Sequence, residues 1–254
     1  MQVDNAERPL LSIVMPALNE ANRLPGSLEK IDAFLKQQPY SAEVVVIENG
    51  STDDTVNVVR SFAQDHPYVR LFAGEPRGKG RAVRRGMLEA RGEYRFICDV
   101  DLSMPIEEVA NFLPPILTHY DVAIGSREVR GARRYNEPPY RHLMGRINNF
   151  LVKLIAVRGF EDTQCGFKSF HYKAAEDLFG VSRINGIGFD VETIYIAQKR
   201  GYKIVEVPIN WYYNNDSKMR LVQDSLAIME ELFAIRRNWR SGLYNRVNKT
   251  QSHA

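Results

Sequence analysis

The sequence predicts an α/β domain in which helices flank a mainly parallel, twisted sheet. Short β-branched apolar runs alternate along the chain with segments whose apolar residues recur at helical spacing. The chain has 254 residues, 44% hydrophobic and 26% charged, which is enough for one large soluble core. Such alternation implies right-handed crossovers between parallel strands and helices on both faces of the sheet. Ligands of such sheets bind beyond the carboxyl ends of the strands.

The elements follow in order along the first half of the chain. Apolar runs predict strands over residues 10–15, 43–47, Val69–Phe72, 94–98 and 121–125. The first helix carries Leu24, Leu28, Ile31 and Leu35 on one face. Thr52-Asp53-Asp54 is a start signal for a second helix carrying Val56, Val59 and Phe62. A third helix carries Ala82, Val83, Gly86, Met87 and Ala90. Pro105 is expected to open a helix with Ile106, Val109 and Phe112.

Composition excludes several classes of protein. The net charge of +3 excludes a generally polycationic nucleic-acid binder, although residues 127–146 hold six Arg and two Glu. Cys98 and Cys165 form neither a disulfide framework nor a zinc motif. No apolar run is long enough to span a bilayer, and the N-terminus lacks a signal pattern. We therefore expect a cytoplasmic protein.

Polar clusters follow four of the predicted strands. They comprise residues 16–20, 48–51, 77–80 and 99–101. Because the carboxyl ends of parallel strands share one edge, these clusters are expected to form one site. Asp99 and Asp101 can present oxygen ligands to Mg²⁺ or Mn²⁺, and such a cation can also hold a diphosphate. This combination indicates sugar-nucleotide chemistry.

The segment Arg77-Gly78-Lys79-Gly80 is expected to contribute to nucleotide binding. Its two glycines would allow the backbone to approach a nucleotide closely. A helix beginning near Gly80 would direct its N-terminus at negative charge, and Lys79 would add a point charge.

The chain resembles family 2 glycosyltransferases of the Rossmann-like GT-A fold. The resemblance rests on the strings LSIVMPALNE, VVVIENGSTDDT, RGKGRAVRRGM and ICDVDLSMP. Downstream, IGSREVRGA, DTQCGFKSF, GFDVETIYIA and VPINWYYNNDSKMRLVQDSLAIMEELFAIR resemble the branch that glucosylates dolichyl or other polyprenyl phosphates. The resemblance spans residues 10–240. It implies a nucleotide-binding half, 10–125, and an acceptor half with amphipathic helices, 126–240, between a flexible N-terminus, 1–9, and a polar tail, 241–254.

The resemblance also implies roles for individual residues. Those expected around the nucleotide sugar are Pro16, Asn19, Glu20, Glu48, Gly50, Ser51, Lys79, Asp99, Val100 and Asp101. Within this set, Glu48 would meet the base, and Asp99 and Asp101 would hold the metal and the diphosphate. Many members have Asp-Asp-Gly-Ser where this chain has Glu48-Asn49-Gly50-Ser51, so its base and ribose contacts are expected to differ.

The acceptor side is expected to position an anion. A lipid phosphate is already an anionic nucleophile at neutral pH, so its transfer needs positioning more than a general base. Arg127 and Arg130 are candidates because guanidinium groups bind phosphate oxygens in a bidentate way. Lys218 resembles the family position that closes over the diphosphate. We expect the catalytic residues to be Asp101, Arg127 and Asp162.

Four polar residues further along are candidates for holding the sugar: Asp162, Gln164, Asp190 and Glu192. Asp162 would hold sugar hydroxyls or a cation on the acceptor side or, in another enzyme of this fold, act as a base. At a helix start, Asp190 would alternatively cap the helix and Glu192 would interact with its dipole.

An apolar stripe at helical spacing follows the Arg-rich segment. It comprises Leu143, Ile147, Phe150, Leu151, Leu154 and Ile155, with basic residues interspersed. Such a helix either packs on the domain or lies in the headgroup region of a membrane. A helix over residues 222–239, with Val222, Leu226, Met229 and Phe233 on one face, is a second candidate contact.

Together these features predict an inverting, cation-dependent glucosyltransferase that transfers glucose from UDP-glucose to a polyprenyl phosphate at the cytosolic membrane face. The alternative is a soluble enzyme of the same family with another nucleotide sugar (GDP-mannose or UDP-GlcNAc) or a hydroxyl acceptor, with Asp162 or Asp190 as base. A sugar-nucleotide pyrophosphorylase is disfavoured, because the first strand is followed by Pro16-Ala17-Leu18-Asn19-Glu20 rather than by a Gly-rich basic loop. A non-catalytic module is disfavoured by the intact pair Asp99 and Asp101.

Overall fold

The computed structural model describes residues 8–214 and 221–245 of the chain. The strands are β1 (Leu11–Ala17), β2 (Ala42–Glu48), β3 (Val69–Phe72), β4 (Tyr94–Ile97), β5 (Val122–Ser126), β6 (Arg133–Tyr135), β7 (Lys168–His171), β8 (Ile204–Pro208) and β9 (Asn210–Tyr212). The helices are α1 (Leu24–Leu35), α2 (Thr55–Asp65), α3 (Lys79–Glu89), α4 (Pro139–Ile155), α5 (Tyr172–Val181), α6 (Phe189–Lys199) and α7 (Leu221–Arg240).

The main sheet of the described residues has seven strands in the order β3-β2-β1-β4-β7-β5-β8. Strand β1 pairs in parallel with β2 and β4, β2 with β3, and β5 with β8. Strand β7 runs antiparallel between β4 and β5. The predicted mainly parallel sheet with flanking helices is therefore confirmed, and β7 is the exception. A small second sheet pairs β6 with β9 in parallel.

Alternate side chains of the buried strands pack on opposite faces of the sheet. Val14 and Ile47 belong to one core cluster, with α3, α5, α6 and part of α7. Ile13, Met15 and Val46 belong to the other, with α1 and the segment that follows β4. Because both faces are covered, these strands are apolar almost throughout, as in parallel sheets generally.

The segment after Pro105 differs from its prediction. Residues Ile106–Phe112 form a 3₁₀ helix instead of an α-helix. Ile106, Val109 and Phe112 are three residues apart and all buried, which matches the three residues per turn of a 3₁₀ helix.

Helix α4 exposes its predicted apolar stripe. Leu143, Phe150 and Leu154 are each more than 60% exposed, whereas Val152 faces the core. No helix in the described part of the chain is both long and apolar enough to cross a membrane.

Candidate active site

One edge of the main sheet gathers most of the predicted site residues. The carboxyl ends of β1, β2, β4 and β5 lie at this edge because these strands run in the same direction. Strand β7 runs the other way, so its beginning at Lys168, preceded by the segment 162–167, reaches the same edge. The reversal of β7 therefore brings Asp162 and Gln164 toward Asp99 and Arg127.

The loops after β1 and β2 are joined by hydrogen bonds. The Asn19 amide donates to Ser51 Oγ at 3.0 Å, and the Thr52 amide donates to Asn19 Oδ1 at 2.7 Å. Asn19 has φ of 53°, a left-handed conformation that Asn tolerates better than most residues. The Glu20 amide donates to Thr55 Oγ1 at 2.8 Å, while the Glu20 carboxylate pairs with Arg23 at 2.7 Å. The structure thus brings Asn19, Glu20 and Ser51 together.

Glu48 is buried at the end of β2 and bridges two loops. Its carboxylate accepts hydrogen bonds from the Ser51 amide and, at 2.9 Å, from the Gly74 amide. Burial alone would raise the pKa of Glu48, but the hydrogen bonds from Gly74 and Ser51 outweigh it and lower the pKa below its usual 4.5. Both carboxylate oxygens are engaged by the backbone, so Glu48 shapes the loops around the expected base position.

Asp99, Asp101 and Lys79 form the charged centre of the site. Lys79 Nζ lies 2.7 Å from Asp99 Oδ1, and Asp101 Oδ1 accepts a hydrogen bond from the Ser103 amide at 3.0 Å. Burial, and next the charge of Asp99, raise the pKa of Asp101. Val100 between them is buried, and its carbonyl accepts a hydrogen bond from Ser27 Oγ at 2.6 Å.

Asp99 and Asp101 fit a divalent cation that is coordinated partly by the protein and partly by a substrate. Two carboxylates one residue apart supply hard oxygen donors, and their mutual repulsion would be relieved by a cation. In the described parts of the chain, no group of three or more His, Cys, Asp or Glu residues is arranged to hold a metal ion. A cation bound by Asp99 and Asp101 would therefore need further oxygen ligands, such as those of a diphosphate.

The structure corrects the role predicted for Gly78 and Gly80. The Gly80 amide donates to the carbonyl oxygen of Asn185 at 3.0 Å, so the N-terminus of α3 faces protein rather than a ligand. A Cβ built on Gly78 would lie 2.6 Å from the Asn185 oxygen, and one built on Gly80 would lie 2.5 Å from that of Ile184. The two glycines make room for the segment before α6. Lys79, between them, still points into the site.

Arg127, directly after β5, forms a two-point ion pair with Asp162. Arg127 Nε lies 2.6 Å from Asp162 Oδ2, Nη2 lies 2.9 Å from Oδ1, and the Arg127 amide also donates to Oδ2 at 3.0 Å. Burial would raise the pKa of the Asp162 carboxyl, but the charge and hydrogen bonds of Arg127 outweigh it and lower the pKa. The guanidinium also lies over the ring of Trp211, 5.4 Å from its centre.

The other predicted sugar and acceptor residues are distributed around this centre. Asp190 is buried and pairs with Lys168 at 2.5 Å. Burial raises the pKa of Asp190, and the charges of Lys168 and Lys79 act against this rise. Gln164 is half-buried in the turn before β7, and Arg130 is exposed in the loop after β5. Lys218 lies outside the described residues.

Glu192 is placed away from the charged centre. Its carboxylate accepts hydrogen bonds from the amides of Arg183 and Ile184 and from the Tyr244 hydroxyl. Gly188, rather than Asp190, occupies the N-cap position of α6.

Two residues of this site, Lys168 and Trp211, were not among those predicted from the sequence. Lys168 is fully buried, and its ammonium group also donates to the Cys165 carbonyl. Trp211 lies beneath two guanidinium groups, those of Arg127 and Arg134. A lysine inside the apolar run Cys165-Gly166-Phe167-Lys168-Ser169-Phe170 was the available signal, since a buried lysine needs a partner carboxylate.

Comparison with known proteins is consistent with this geometry. The model of the family described as Glycosyl transferase family 2 matches residues 12–179. This chain belongs to glycosyl transferase family 2. The predictions of the family and of a glycosyltransferase activity are thereby confirmed.

Curated members of the family are similar over nearly the whole chain. The dolichyl-phosphate beta-glucosyltransferase of Drosophila melanogaster is 35% identical in a match that covers 89% of this chain and 74% of that protein. The protein of the same name from Homo sapiens is 33% identical in a match that covers 95% of this chain and 79% of that protein.

Solved structures of similar fold also match this chain. Glucosyl-3-phosphoglycerate synthase from Mycobacterium tuberculosis, in complex with uridine-diphosphate, has a TM-score of 0.65 at 18% identity. The match covers 89% of this chain and 80% of that one. At this identity the likeness establishes the GT-A fold alone.

Proposed function

We propose that this chain is an inverting, divalent-cation-dependent glucosyltransferase that moves glucose from UDP-glucose to a polyprenyl phosphate at the cytosolic face of a membrane. Relatives named dolichyl-phosphate beta-glucosyltransferase, 33–35% identical over most of the chain, support the sugar and the acceptor class. A solved neighbour bound to Mn²⁺ and UDP-glucose is consistent with the donor and the cation.

The ion pair between Arg127 and Asp162 is the observation that best supports an anionic acceptor over a hydroxyl acceptor. A hydroxyl acceptor needs a base, yet Asp162 is bound at both oxygens by Arg127 and has a lowered pKa. Asp190 differs, because burial raises its pKa, but its Oδ1 is bound by Lys168. An acceptor that is already anionic needs neither carboxylate as a base.

Arg127 is well suited to position such an anion. Two of its N–H groups bind Asp162, which fixes the plane of the guanidinium and leaves the remaining N–H groups for phosphate oxygens. Arg134 would not compete for the same anion, because Glu128 and Glu137 already bind it.

On the donor side, Asp99 and Asp101 would hold Mg²⁺ or Mn²⁺, which when bound neutralises charge on the departing diphosphate. Lys79 lies against Asp99 and adds a positive charge next to the same position. In the proposed reaction a phosphate oxygen of the acceptor forms a bond to the anomeric carbon of glucose. The bond from that carbon to the diphosphate breaks, and UDP leaves with the electron pair. The configuration at the carbon inverts.

Contact with a membrane is supported by the exposed face of α4. Leu143, Ile147, Phe150 and Leu154 lie on this face, and Lys153 is close by on the same helix. Exposed apolar side chains with basic neighbours are typical of helices in the headgroup region. Such a position would bring the site to a lipid acceptor.

The proposed function is tested with a matrix of donors and acceptors. UDP-glucose, GDP-mannose and UDP-GlcNAc are each incubated with a short-chain polyprenyl phosphate and with hydroxyl acceptors, and products are identified by mass spectrometry. We expect glucosylated polyprenyl phosphate with UDP-glucose and no product with the other two donors, and we expect the Asp101→Asn variant to form the product far more slowly. Faster glycosylation of a hydroxyl acceptor, or preference for another donor, would establish the alternative function.

A further inference from the structure

The segment of residues 182–188 connects α5 to α6 and closes the start of α3. The carbonyl oxygens of Asn185 and Gly186 accept hydrogen bonds from the Gly80 amide, at 3.0 and 3.2 Å. The Asn185 oxygen also accepts a hydrogen bond from the Arg81 amide at 3.4 Å. These are amides of the first turn of α3, which have no partner within the helix. The 182–188 segment therefore fixes the turn that carries Lys79.

Two carboxylates, those of Glu192 and Glu231, accept hydrogen bonds from backbone amides of the 182–188 segment. Glu192 of α6 binds the amides of Arg183 and Ile184, at 2.8 and 3.0 Å. Glu231 of α7 binds the Gly188 amide at 2.7 Å and also the Gly186 amide. The first half of the segment is thus held by α6, and the second half by α7.

The Glu231 side chain lies close against both glycines of this segment, Gly186 and Gly188. A Cβ on Gly186 would overlap the Glu231 carboxylate, and one on Gly188 would lie 2.6 Å from Oε2. Burial raises the pKa of Glu231, and the hydrogen bonds from Gly188 and Gly186 act against this rise. The carboxylate serves as a double acceptor for backbone amides, which a shorter or apolar side chain cannot replace.

We propose that Glu231 is a positioning residue of the donor site, acting through the 182–188 segment to hold Lys79 against Asp99. The chain of contacts runs from Glu231 to Gly186 and Gly188, from Asn185 and Gly186 to the first turn of α3, and from Lys79 Nζ to Asp99. The inference rests on the proposed function in assigning Lys79 and Asp99 to the diphosphate. Through Glu231, α7 would thus help to position Lys79, a role that the sequence of the helix alone does not indicate.

The first test measures the connection without any ligand. Amide hydrogen exchange of peptides covering residues 78–84 is compared between Glu231→Ala and Glu230→Ala, since Glu230 is the exposed neighbour on the same helix. We expect exchange in this turn to be about tenfold faster in Glu231→Ala and unchanged in Glu230→Ala. Unchanged exchange in a folded Glu231→Ala protein overturns the inference. If Glu231→Ala does not fold, Glu231→Gln, which keeps one acceptor oxygen, takes its place.

The second test asks whether Glu231 acts through Lys79. UDP affinity is measured by calorimetry, in the presence of Mn²⁺, for Glu231→Gln, Lys79→Ala and the double variant. We expect Glu231→Gln to weaken UDP binding roughly tenfold in the wild-type background and to have almost no effect in the Lys79→Ala background. The KM for the acceptor should stay unchanged. Equal losses in both backgrounds, or equal losses in every kinetic parameter, indicate a merely structural role and overturn the inference.

The two tests separate this inference from the proposed function. If the wild-type protein binds no UDP, the donor assignment fails, and the exchange measurement still decides whether Glu231 holds the α3 turn. If UDP binds and the effects of Glu231→Gln and Lys79→Ala on UDP affinity are additive, the donor assignment stands and the proposed role of Glu231 is wrong.

Discussion

Gly166 lies directly against the carboxylate of Asp99. A Cβ built on Gly166 would overlap Asp99 Oδ2 and come within 3.2 Å of Cγ. Gly166 belongs to the turn before the antiparallel strand β7, so the position of this strand limits where the Asp99 carboxylate can lie. The carboxylate is thereby held between the turn on one side and Lys79 on the other.

The first prediction concerns this contact. Gly166→Ala should lower kcat by about a hundredfold, because even a displacement of about 1 Å at the reacting groups is costly. Turnover is measured with saturating donor and acceptor. Gly180→Ala is the control, since nothing lies within 4 Å of a Cβ at this position and activity should not change. Normal turnover in Gly166→Ala would show that the Asp99 carboxylate need not stay where the structure has it.

The second prediction concerns the cation. Asp101→Asn should lower turnover by about two to three orders of magnitude with little change in melting temperature, since the exchange is nearly isosteric and removes charge where the leaving group is stabilised. Excess chelator should abolish wild-type activity, and added Mn²⁺ or Mg²⁺ should restore it. Asp65→Asn, at an exposed position on α2, is the matched control. Activity that persists in chelator contradicts a cation at Asp99 and Asp101.

Local sequence signals predicted the strand–helix alternation and the loops that meet at the sheet edge. The hydrogen bonds between Asn19 and the segment Ser51-Thr52 join two loops that each follow a predicted strand, so the shared edge was enough to bring them together. The amphipathic helix α4 was likewise visible as an apolar stripe at helical spacing, since its period is a local property.

Contacts between distant parts of the chain were not predictable in this way. The sequence around the glycines at 78 and 80 predicts space for a nucleotide, but the segment they accommodate, residues 184–186, lies more than a hundred positions away. The direction of β7 depends on pairing with β4 and β5 rather than on its own composition. The ion pair of Arg127 with Asp162 depends on this direction.

The third prediction concerns the pH dependence of stability. The pKa of Asp162 is lowered below its usual 3.8, because the attraction of Arg127 outweighs the effect of burial. A lowered folded-state pKa means that the carboxylate stabilises the fold above the unfolded-state value and loses this contribution as the pH falls through the folded-state value. Asp162→Asn should therefore cost about 3–5 kcal/mol at about pH 7 and progressively less below about pH 4. Urea unfolding of both proteins across this range gives the comparison, and a pH-independent difference would contradict it.

The fourth prediction concerns the exposed face of α4. Phe150 and Leu154 are 64% and 61% exposed, so replacing both with Ser should change the melting temperature little. Each side chain that enters a bilayer interface contributes roughly 1–2 kcal/mol, so binding to vesicles of anionic lipid should fall at least tenfold. Sedimentation with vesicles measures this. Leu88→Ser, on an exposed apolar residue of α3, is the control and should bind as the wild type does. Equal binding by all three proteins would place the membrane contact elsewhere.

The fifth prediction separates the lipid phosphate from a hydroxyl acceptor. Arg127→Lys keeps the positive charge but loses the planar guanidinium. That group binds Asp162 at two points and has further N–H groups for a phosphate. We expect kcat/KM for polyprenyl phosphate to fall by about two orders of magnitude, while the affinity for UDP stays within about twofold, because the proposed function assigns Arg127 to the acceptor. Arg60→Lys, an exposed position on α2, should leave both unchanged. If Arg127→Lys alters donor affinity instead, or leaves use of the lipid phosphate intact, Arg127 does not position the acceptor, and the ion pair with Asp162 is a structural link between β5 and the turn before β7.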